Sequence, residues 1–262
     1  MTTAIRSSAP VQNNPLRDTW TVFAREVRPL MRDPFSLIFS LVQPVVFLGL
    51  FGPLLVGGSD QPAADVLAWF VPGILVMIAL FGTSATGSNL LYEMQTGSHE
   101  RTLVAPISRS ALLIGRALKE MVPLVIQATV IALVTIPFGF RLSVPGMVIT
   151  LVLLAIFGMG FGSLSYALAL ASRSKDWMFW AVQQSVIFPL MILSGMLLPI
   201  EQGPEWMQVA AAVNPISHVV TAARSLLAGD LMNPSVMAGF GAALALAAVG
   251  LWVGVSAIRR SR

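Results

Sequence analysis

The segment Tyr92–Arg109, which reads YEMQTGSHERTLVAPISR, is the longest polar interruption between two long apolar runs of this 262-residue chain. Thr96 or Ser98 is suited to cap a helix, and acidic and basic residues follow in what would be its first turn. Pro106 would end that helix, because its ring removes an amide donor and restricts the preceding residue. The pattern predicts a short amphipathic helix at the end of a membrane span. An ordinary charged loop is the alternative.

The composition on both sides of this segment is that of an integral membrane protein. Hydrophobic residues make up 56% of the chain and charged residues only 11%, whereas soluble domains carry about 25% charged residues. The absence of cysteine from the sequence excludes disulfides and thiolate metal sites. The basic residues lie at the ends of apolar runs and form no single patch, which favours a membrane topology and gives no support to nucleic-acid binding.

Six apolar runs have the length of about 20 residues that a bilayer core of about 30 Å requires. In front of them, residues 15–33 carry apolar side chains at steps of three and four, which predicts an amphipathic helix on the inner membrane surface or a helix packed on the same protein. Residues 1–14 and 259–262 are predicted to be cytoplasmic tails, the first of them disordered. The predicted spans are about 35–56, 66–91, 111–139, 145–171, 177–199 and 234–258.

Residues 200–230 differ from the spans, because charged residues, glycine and proline interrupt their apolar stretches. No continuous span fits this region, but two shorter helices fit at about 204–213 and 215–228. Such a pair predicts a re-entrant or interfacial helical hairpin. The residues singled out in and around it are Pro199, Glu201, Trp206, Asn214, Pro215, His218 and Arg224.

The distribution of basic residues predicts the orientation of the chain. If the N-terminus is cytoplasmic, fourteen of the sixteen lysine and arginine residues lie inside, and only Arg141 and Arg224 lie outside. The positive-inside rule therefore predicts six spans with both termini in the cytoplasm. In this orientation the segment 92–109 is cytoplasmic and the hairpin is external.

Motifs for chemistry on the chain itself are weak. Neither of its two lysines follows a glycine, so the sequence has no phosphate-binding loop, and it has no His-Glu-x-x-His motif or Cys/His cluster for zinc. Glu120 lies in the third predicted span. It either pairs with Lys119 or Arg116, or it is a buried acid on a transport path.

Polar and adaptable side chains in the fifth predicted span suggest where a substrate could pass. The glutamines there either form interhelical hydrogen bonds or line a weakly polar conduit. The methionine and phenylalanine residues would suit a hydrophobic substrate or contact with lipid equally well. The candidate path residues are Gln183, Gln184, Phe188, Met191 and Met196.

The polar segment Tyr92–Arg109 resembles the cytoplasmic coupling-helix region of ABC-2 type transporter permeases. The matching residues are Glu93, Gly97, Ser98, Glu100, Pro106, Ile107, Ser108 and Arg109, followed by Leu113, Ile114, Gly115 and Arg116. A second segment resembles the C-terminal half of drug-exporting permeases of the daunorubicin-resistance type. It includes Phe188, Pro189, Ser194, Gly195, Pro199, Ile200, Glu201, Pro204, Trp206, Asn214, Pro215, Ile216, Ser217, Arg224 and Gly229.

The resemblance implies the ABC-2, or type V exporter, fold. This is an all-α integral membrane protein with an N-terminal interfacial amphipathic helix and a six-span transmembrane domain at 34–258. A cytoplasmic coupling helix would lie at about 96–105 and an external re-entrant helical hairpin at about 200–230. The residues that the resemblance assigns to ATPase coupling are Glu93, Gly97, Ser98, Glu100, Arg101, Leu103, Pro106 and Arg109.

The resemblance also implies partners for the chain. Two ABC ATPase subunits would bind ATP and Mg and hydrolyse the ATP, while this chain would carry no cofactor and catalyse no reaction. A second permease, identical or homologous, would complete a dimer in the plasma membrane. The expected function is export of an amphipathic drug-like or lipid-like substrate.

Two other functions stay open. An ion-coupled secondary transporter would be expected to show inverted repeats and acidic residues at the membrane midplane. An integral membrane enzyme that modifies lipids would need converging acids or histidine near one interface, for which the outer-side candidates are Glu201, Glu205 and His218.

Overall fold

The computed structural model of the protein describes residues 15–97, 108–173 and 175–260, and its regular structure there is helical throughout. The predicted tail at 1–14, residues 261–262 and most of the predicted coupling helix lie outside the described residues. The helices are α1 (Pro15–Arg32), α2 (Pro34–Gly57), α3 (Ala63–Gln95), α4 (Arg109–Lys119), α5 (Met121–Thr135), α6 (Val144–Ala171), α7 (Asp176–Ile192), α8 (Glu205–Val213), α9 (Pro215–Leu227) and α10 (Pro234–Arg260). Short 3-10 turns lie at Ile136–Phe138 and Ile200–Gln202.

Five helical segments in the described part of the chain are long and apolar enough to cross a membrane. They are α3, α6, α10, the segment Ile38–Gly57 of α2, and the segment Ala111–Phe138 that combines most of α4 with α5. The remaining predicted span corresponds to α7, which has 17 residues and is therefore about 26 Å long at 1.5 Å per residue. A sixth crossing through α7 stays a prediction.

The fifth predicted span, 177–199, is wrong at its end, because the helix stops at Ile192. The chain then turns through Gly195, whose φ of +69° is a backbone conformation that side chains disfavour. The hydroxyl of Ser194 donates a hydrogen bond to the Met191 carbonyl at 2.6 Å, which satisfies one of the last carbonyls of α7. A local turn therefore replaces the last residues of the predicted helix.

The third predicted span, 111–139, is divided into α4 and α5 by a break at Glu120. Pro123 explains this break. A proline nitrogen carries no hydrogen, so the carbonyl of Lys119, four residues earlier, has no helical donor at that position. The break places Lys119 and Glu120 at the junction between the two helices.

Helix α3 is the centre of the molecule. Its 33 residues extend about 50 Å, which exceeds a bilayer core of about 30 Å. Phe70, Ile74 and Leu80 are fully buried along it. Helix α6 packs between α3 and α10, and its backbone contacts that of α10 directly. A side-chain carbon added to Gly250 would lie 2.2 Å from the Gly160 carbonyl oxygen.

Two helices at the periphery present apolar faces outward. In a membrane these faces meet lipid or another chain, because they have no cover within the described residues. The exposed residues include Phe35, Phe39, Leu50 and Leu54 on α2, and Trp177, Trp180, Val186, Phe188 and Ile192 on α7.

The two short helices predicted at 204–213 and 215–228 are confirmed as helices by α8 and α9. The helix predicted at 15–33 likewise corresponds to α1. Their positions relative to the membrane stay predictions.

Candidate functional site

A group of charged and polar side chains joins four helices next to the end of α3. We call it the inner polar cluster. It consists of Glu26, Asn89, Glu93, Arg116, Lys119, Glu120 and Tyr166.

Arg116, on α4, is the centre of the inner polar cluster and is only 5% exposed. It forms an ion pair with Glu93 of α3, and its Nε lies 3.8 Å from a carboxylate oxygen of Glu26 on α1. Its Nη1 donates a hydrogen bond to the Tyr166 hydroxyl of α6 at 3.3 Å. One guanidinium group therefore connects α1, α3, α4 and α6.

The second part of the cluster lies at the junction between α4 and α5. A carboxylate oxygen of Glu120 lies 3.2 Å from the Lys119 ammonium and accepts a hydrogen bond from the Asn89 amide at 3.4 Å. Glu120 therefore pairs with Lys119, as one of the two alternatives predicted, and its side chain is also buried. The cavity between the cluster residues measures about 10 Å³, which is about the size of one water molecule. This cavity is too small to bind a transported molecule. The cluster residues therefore serve to link the helices.

Gly97 closes the end of α3, where the predicted coupling segment begins. The amide of Thr96 donates to the Tyr92 carbonyl at 3.1 Å, and the amide of Gly97 donates to the Met94 carbonyl at 3.3 Å. Gly97 has a φ of +67°, the left-handed conformation that often ends a helix and favours glycine. The neighbouring Gln95 donates a hydrogen bond to the Asp176 carboxylate at the start of α7.

Ser108, which follows the segment 98–107, contacts α1. The Ser108 hydroxyl caps α4 by accepting a hydrogen bond from the Ala111 amide at 3.2 Å. The Ser108 amide donates to a carboxylate oxygen of Asp18 on α1 at 3.5 Å. The described residues on either side of 98–107 are therefore both held, Gly97 at the end of α3 and Ser108 by its contact with α1.

The predicted coupling residues divide into two groups. Glu93 and Gly97 occupy the anchored end of α3, and Arg109 is the first residue of α4. The Glu93 carboxylate contacts Arg116 within the protein, so it links α3 to α4. The others, Ser98, Glu100, Arg101, Leu103 and Pro106, lie outside the described residues.

The predicted substrate-path residues do not share one face. The Gln183 amide oxygen accepts a hydrogen bond from the Ser165 hydroxyl of α6 at 3.1 Å, so Gln183 forms an interhelical hydrogen bond, which is one of the two predicted alternatives. Met191 and Met196 are buried. Gln184 and Phe188 point outward on α7 and are exposed.

Arg224 connects three elements at the far end of α3. Its Nε donates to the Trp69 carbonyl at 3.0 Å, and its Nη2 donates to the Gly195 carbonyl at 2.7 Å. The guanidinium carbon also lies 4.0 Å from the centroid of the Trp69 ring, which is a cation–π geometry. Burial lowers the pKa of Arg224 to about 10, although the Glu201 carboxylate acts in the opposite direction. The side chain therefore stays charged at neutral pH.

Asn214 joins the start of α9 to the end of α7. Its amide nitrogen donates to the Leu190 carbonyl at 2.8 Å, and its amide oxygen accepts from the Ile216 amide at 3.0 Å as the helix cap. Ser217 adds a hydrogen bond to the Leu193 carbonyl at 3.2 Å. These contacts hold the hairpin against the turn that follows α7.

The remaining hairpin residues have simpler environments. Pro215 is the first residue of α9, and Pro199 precedes the 3-10 turn. Trp206 is 65% exposed. A ring nitrogen of His218 lies 2.9 Å from the Ala212 carbonyl oxygen, so the ring is engaged in a local contact.

Sequence reasoning missed Glu26, Asn89 and Tyr166 as members of the inner polar cluster. A signal for Glu26 was available, because Asp18, Val22 and Glu26 recur at steps of four on α1 and therefore share one face. Nothing local identifies Tyr166, since the chain brings it to Arg116 from fifty residues away.

Comparison of the chain with known proteins identifies its family. Residues 17–228 match the ABC-2 type transporter family. The chain is 26% identical over 222 residues to the daunorubicin resistance ABC transporter permease protein DrrB1 of Streptomyces coeruleorubidus, with 84% of this chain and 78% of the relative covered. It is 24% identical over 232 residues to nodulation protein J of Neorhizobium galegae, with 87% of both chains covered.

A further relative is the protein of Escherichia coli (strain K12) named "Probable multidrug ABC transporter permease YbhR". The two are 27% identical over 183 residues, which cover 68% of this chain and 48% of the relative. The family match spans more than half of the chain, and five helical segments are suited to cross a membrane. The chain is a multi-pass membrane permease and belongs to the ABC-2 type transporter family.

Proposed function

We propose that this chain is the permease subunit of an ATP-driven exporter that moves an amphipathic drug-like or lipid-like substrate out of the cell across the plasma membrane. Two separate ATPase subunits would bind ATP and Mg and hydrolyse the ATP. A second permease, identical or homologous, would complete the transporter. The family and the names of the drug-resistance and multidrug relatives support this proposal.

One structural observation carries the proposal: the residues that flank the segment 98–107 contact several helices. At one end, Glu93 contacts Arg116, and Gln95 contacts Asp176 of α7. At the other end, Ser108 contacts Asp18 of α1. A partner that displaces this segment would therefore act on α1, α3, α4 and α7 together.

The helices provide a route from this segment to the opposite end of the molecule. Helix α3 runs over 33 residues, with Pro72 inside it near Trp69, so a movement at its Glu93 end would be carried along the helix towards Trp69. There the Trp69 carbonyl contacts Arg224 of the hairpin. Movement of the coupling segment would thus change the contacts between the hairpin and the turn after α7. Coupling between distant sites requires packed helices with two discrete arrangements, and each site must favour one of the two arrangements.

The exposed apolar faces of α2 and α7 support a substrate path between this permease and its partner. Gln184 and Phe188 lie on the outward face of α7, so they are the members of the predicted path that a substrate would meet there. Met191, Met196 and Gln183 would support that surface from within.

The proposed topology has six spans, both termini in the cytoplasm, α1 on the inner membrane surface and the α8–α9 hairpin outside. The concentration of fourteen of the sixteen basic residues on one side supports it. The coupling segment is then accessible to a cytoplasmic ATPase.

Site-specific cross-linking tests the partner, and the cysteine-free sequence makes the chain suitable for it. Leu103→Cys places one thiol in the coupling segment, and Asp60→Cys places a matched thiol in the loop between α2 and α3. Each variant is labelled with a photoactivatable maleimide in native membranes, irradiated and purified, and the attached peptides are identified by mass spectrometry.

The expected result is an ABC ATPase peptide attached at position 103 and none at position 60. Absence of an ATPase at position 103, or equal attachment at both positions, would contradict the proposal. Transport by the purified chain under an ion gradient without ATP would favour a secondary transporter instead.

A further inference from the structure

Helix α1 has three chemically distinct faces, and only one of them packs on the protein. On that face Val22 is 4% exposed and lies against Gly115 of α4, where an added side-chain carbon would be 2.8 Å from Val22. Asp18 and Glu26 flank Val22 on the same face. The other two faces are a basic one and an apolar one.

The charges of α1 are separated by sign. Its two acidic residues point inward: Asp18 accepts a hydrogen bond from the Ser108 amide, and Glu26 lies 3.8 Å from Arg116. Its four arginines point outward and are all exposed. The exposed charged residues of α1 are therefore all arginines, namely Arg17, Arg25, Arg28 and Arg32.

An apolar groove runs beside this basic face, between α1 and the junction of α4 with α5. Its volume is about 590 Å³, which lies within the range of about 300–1,000 Å³ for small-molecule sites. Leu16, Trp20 and Phe23 form its α1 wall, and Met121 and Val125 belong to the opposite wall. Leu16 and Trp20 are 82% and 67% exposed, so this apolar surface is open to the surroundings.

We propose that this groove binds one anionic phospholipid, with an acyl chain along the apolar walls and the phosphate at the basic face near Arg17. Arg17 follows Leu16 in sequence and so stands about 100° around the helix from the groove wall. An apolar slot next to a row of exposed arginines complements a molecule that combines hydrocarbon with a negative headgroup. A neutral lipid would match the apolar groove but would bring no negative charge to the exposed arginines beside it.

Lipid binding in this groove would act on the inner polar cluster without an ATPase. The lipid would contact α1 and α5 together, on the side opposite to the Val22–Gly115 contact. Binding would hold α1 against α4 and keep Glu26 beside Arg116. The lipid composition of the membrane would then influence the inner polar cluster.

Native mass spectrometry of the purified full-length chain tests the site directly. The probes are phosphatidylglycerol and phosphatidylcholine with identical acyl chains, titrated separately into delipidated protein in mild detergent. We expect the first phosphatidylglycerol to bind at least tenfold more tightly than phosphatidylcholine. Glycerol phosphate in excess, which carries the headgroup charge without acyl chains, should not displace the bound lipid.

Two pairs of variants locate the binding. Arg17→Gln should lower the preference for phosphatidylglycerol at least fivefold, whereas Arg32→Gln removes the same charge about 22 Å further along the helix and should change it less than twofold. Val125→Trp should obstruct the groove and prevent the first binding event. Val148→Trp, a matched change at an exposed position of α6, should leave binding unchanged.

Equal affinity for the two lipids would overturn the headgroup assignment. A preference for phosphatidylglycerol that survives both Arg17→Gln and Val125→Trp would overturn the location. Because Val125 is 42% exposed, its substitution leaves the packed core intact, and loss of folding does not confuse the result.

Discussion

Arg116 holds a positive charge in a site that is only 5% exposed. Removing one partner of a buried ion pair is costly, because the remaining charge stays out of water without compensation. Glu93→Gln keeps the shape of the side chain and removes its charge, leaving Glu26 at 3.8 Å. We expect Glu93→Gln to destabilise the protein by about 3 kcal/mol and to lower the thermal denaturation midpoint in detergent.

The control for this prediction is Glu205→Gln, which removes the same charge from an exposed position at the start of α8. Its effect should stay within about 0.5 kcal/mol. If both variants denature at the temperature of the unchanged protein, the ion pair of Arg116 contributes nothing to stability. Its proposed function as a link between helices would then lose its basis.

Arg224 presents a different case, since its described hydrogen bonds are to backbone carbonyls. Arg224→Lys keeps the charge but loses the planar group that donates in two directions and stacks on Trp69. We expect Arg224→Lys to cost roughly 2 kcal/mol, the value typical of hydrogen bonds to a charged group. Thermal denaturation of the purified chain measures the cost.

Arg141→Lys is the matched substitution at an exposed arginine, and it should have no measurable effect on denaturation. A stability for Arg224→Lys equal to that of this control would show that one ammonium group satisfies the site. The two hydrogen bonds from the guanidinium to the Trp69 and Gly195 carbonyls would then add no stability beyond that of a lysine ammonium.

At the residue scale the sequence identifies the ends of the candidate site but not its contacts. Glu93 and Gly97 follow from a motif, and the Lys119–Glu120 pair follows from adjacency. The contact between Arg116 and Tyr166 depends on how α4 packs against α6, which no local pattern encodes. The cluster could therefore be located approximately from sequence, but its four-helix connectivity could not.

At the scale of helices, the contact between α6 and α10 depends on the absence of side chains. A side-chain carbon at Gly250 would lie 2.2 Å from the Gly160 carbonyl oxygen, so any larger residue forces the helices apart. We expect Gly250→Val to destabilise the protein by about 3 kcal/mol, the upper part of the range for overpacking. The measurement is again the thermal midpoint in detergent.

Helix α10 provides its own control. Gly241 has no atom within 4 Å of an added side-chain carbon, so Gly241→Val makes the same change on an open face of the same helix. It should alter stability by about 0.5 kcal/mol or less. Equal losses for the two variants would mean that the penalty comes from valine in the helix and not from the contact with α6.

Helix boundaries show which signals the sequence contains. The apolar run lengths predicted α3 and α6 well, because a span must be long and free of charge. The break between α4 and α5 was missed although Pro123 marks it, because the residues on both sides of this proline are apolar and read as one continuous span. The end of α7 was placed too late for a related reason: the residues after Ile192 are apolar, but Gly195 turns the chain.

At the scale of the whole molecule, the number of crossings decides on which side each end of the chain lies. Five candidate spans would put the two termini on opposite sides, whereas a sixth crossing through α7 puts them on the same side. Helix α7 has 17 residues, so it is about 4 Å shorter than a bilayer core of about 30 Å. Trp177 and Trp180 stand at its start, the kind of residue that anchors a span at the membrane surface.

Charge favours the sixth crossing. Three arginines lie in the last turn of α10 or just after it, at positions 259, 260 and 262, and five crossings would place them outside, against the positive-inside rule. The turn after α7 is held by Asn214 and Arg224. Those contacts satisfy its backbone and allow a short helix to end near the membrane surface. We therefore expect α7 to cross the membrane.

Single cysteines in the cysteine-free chain test this prediction. Met232→Cys lies at a 92% exposed position between α9 and α10, and Lys175→Cys lies just before α7. In intact cells a membrane-impermeant maleimide should label position 232 and should label position 175 only after permeabilisation. Asp60→Cys, in the loop after α2, is the positive control for the outer side. If positions 175 and 232 are protected together, α7 does not cross, the hairpin is cytoplasmic, and the route from the coupling segment to an external hairpin must be abandoned.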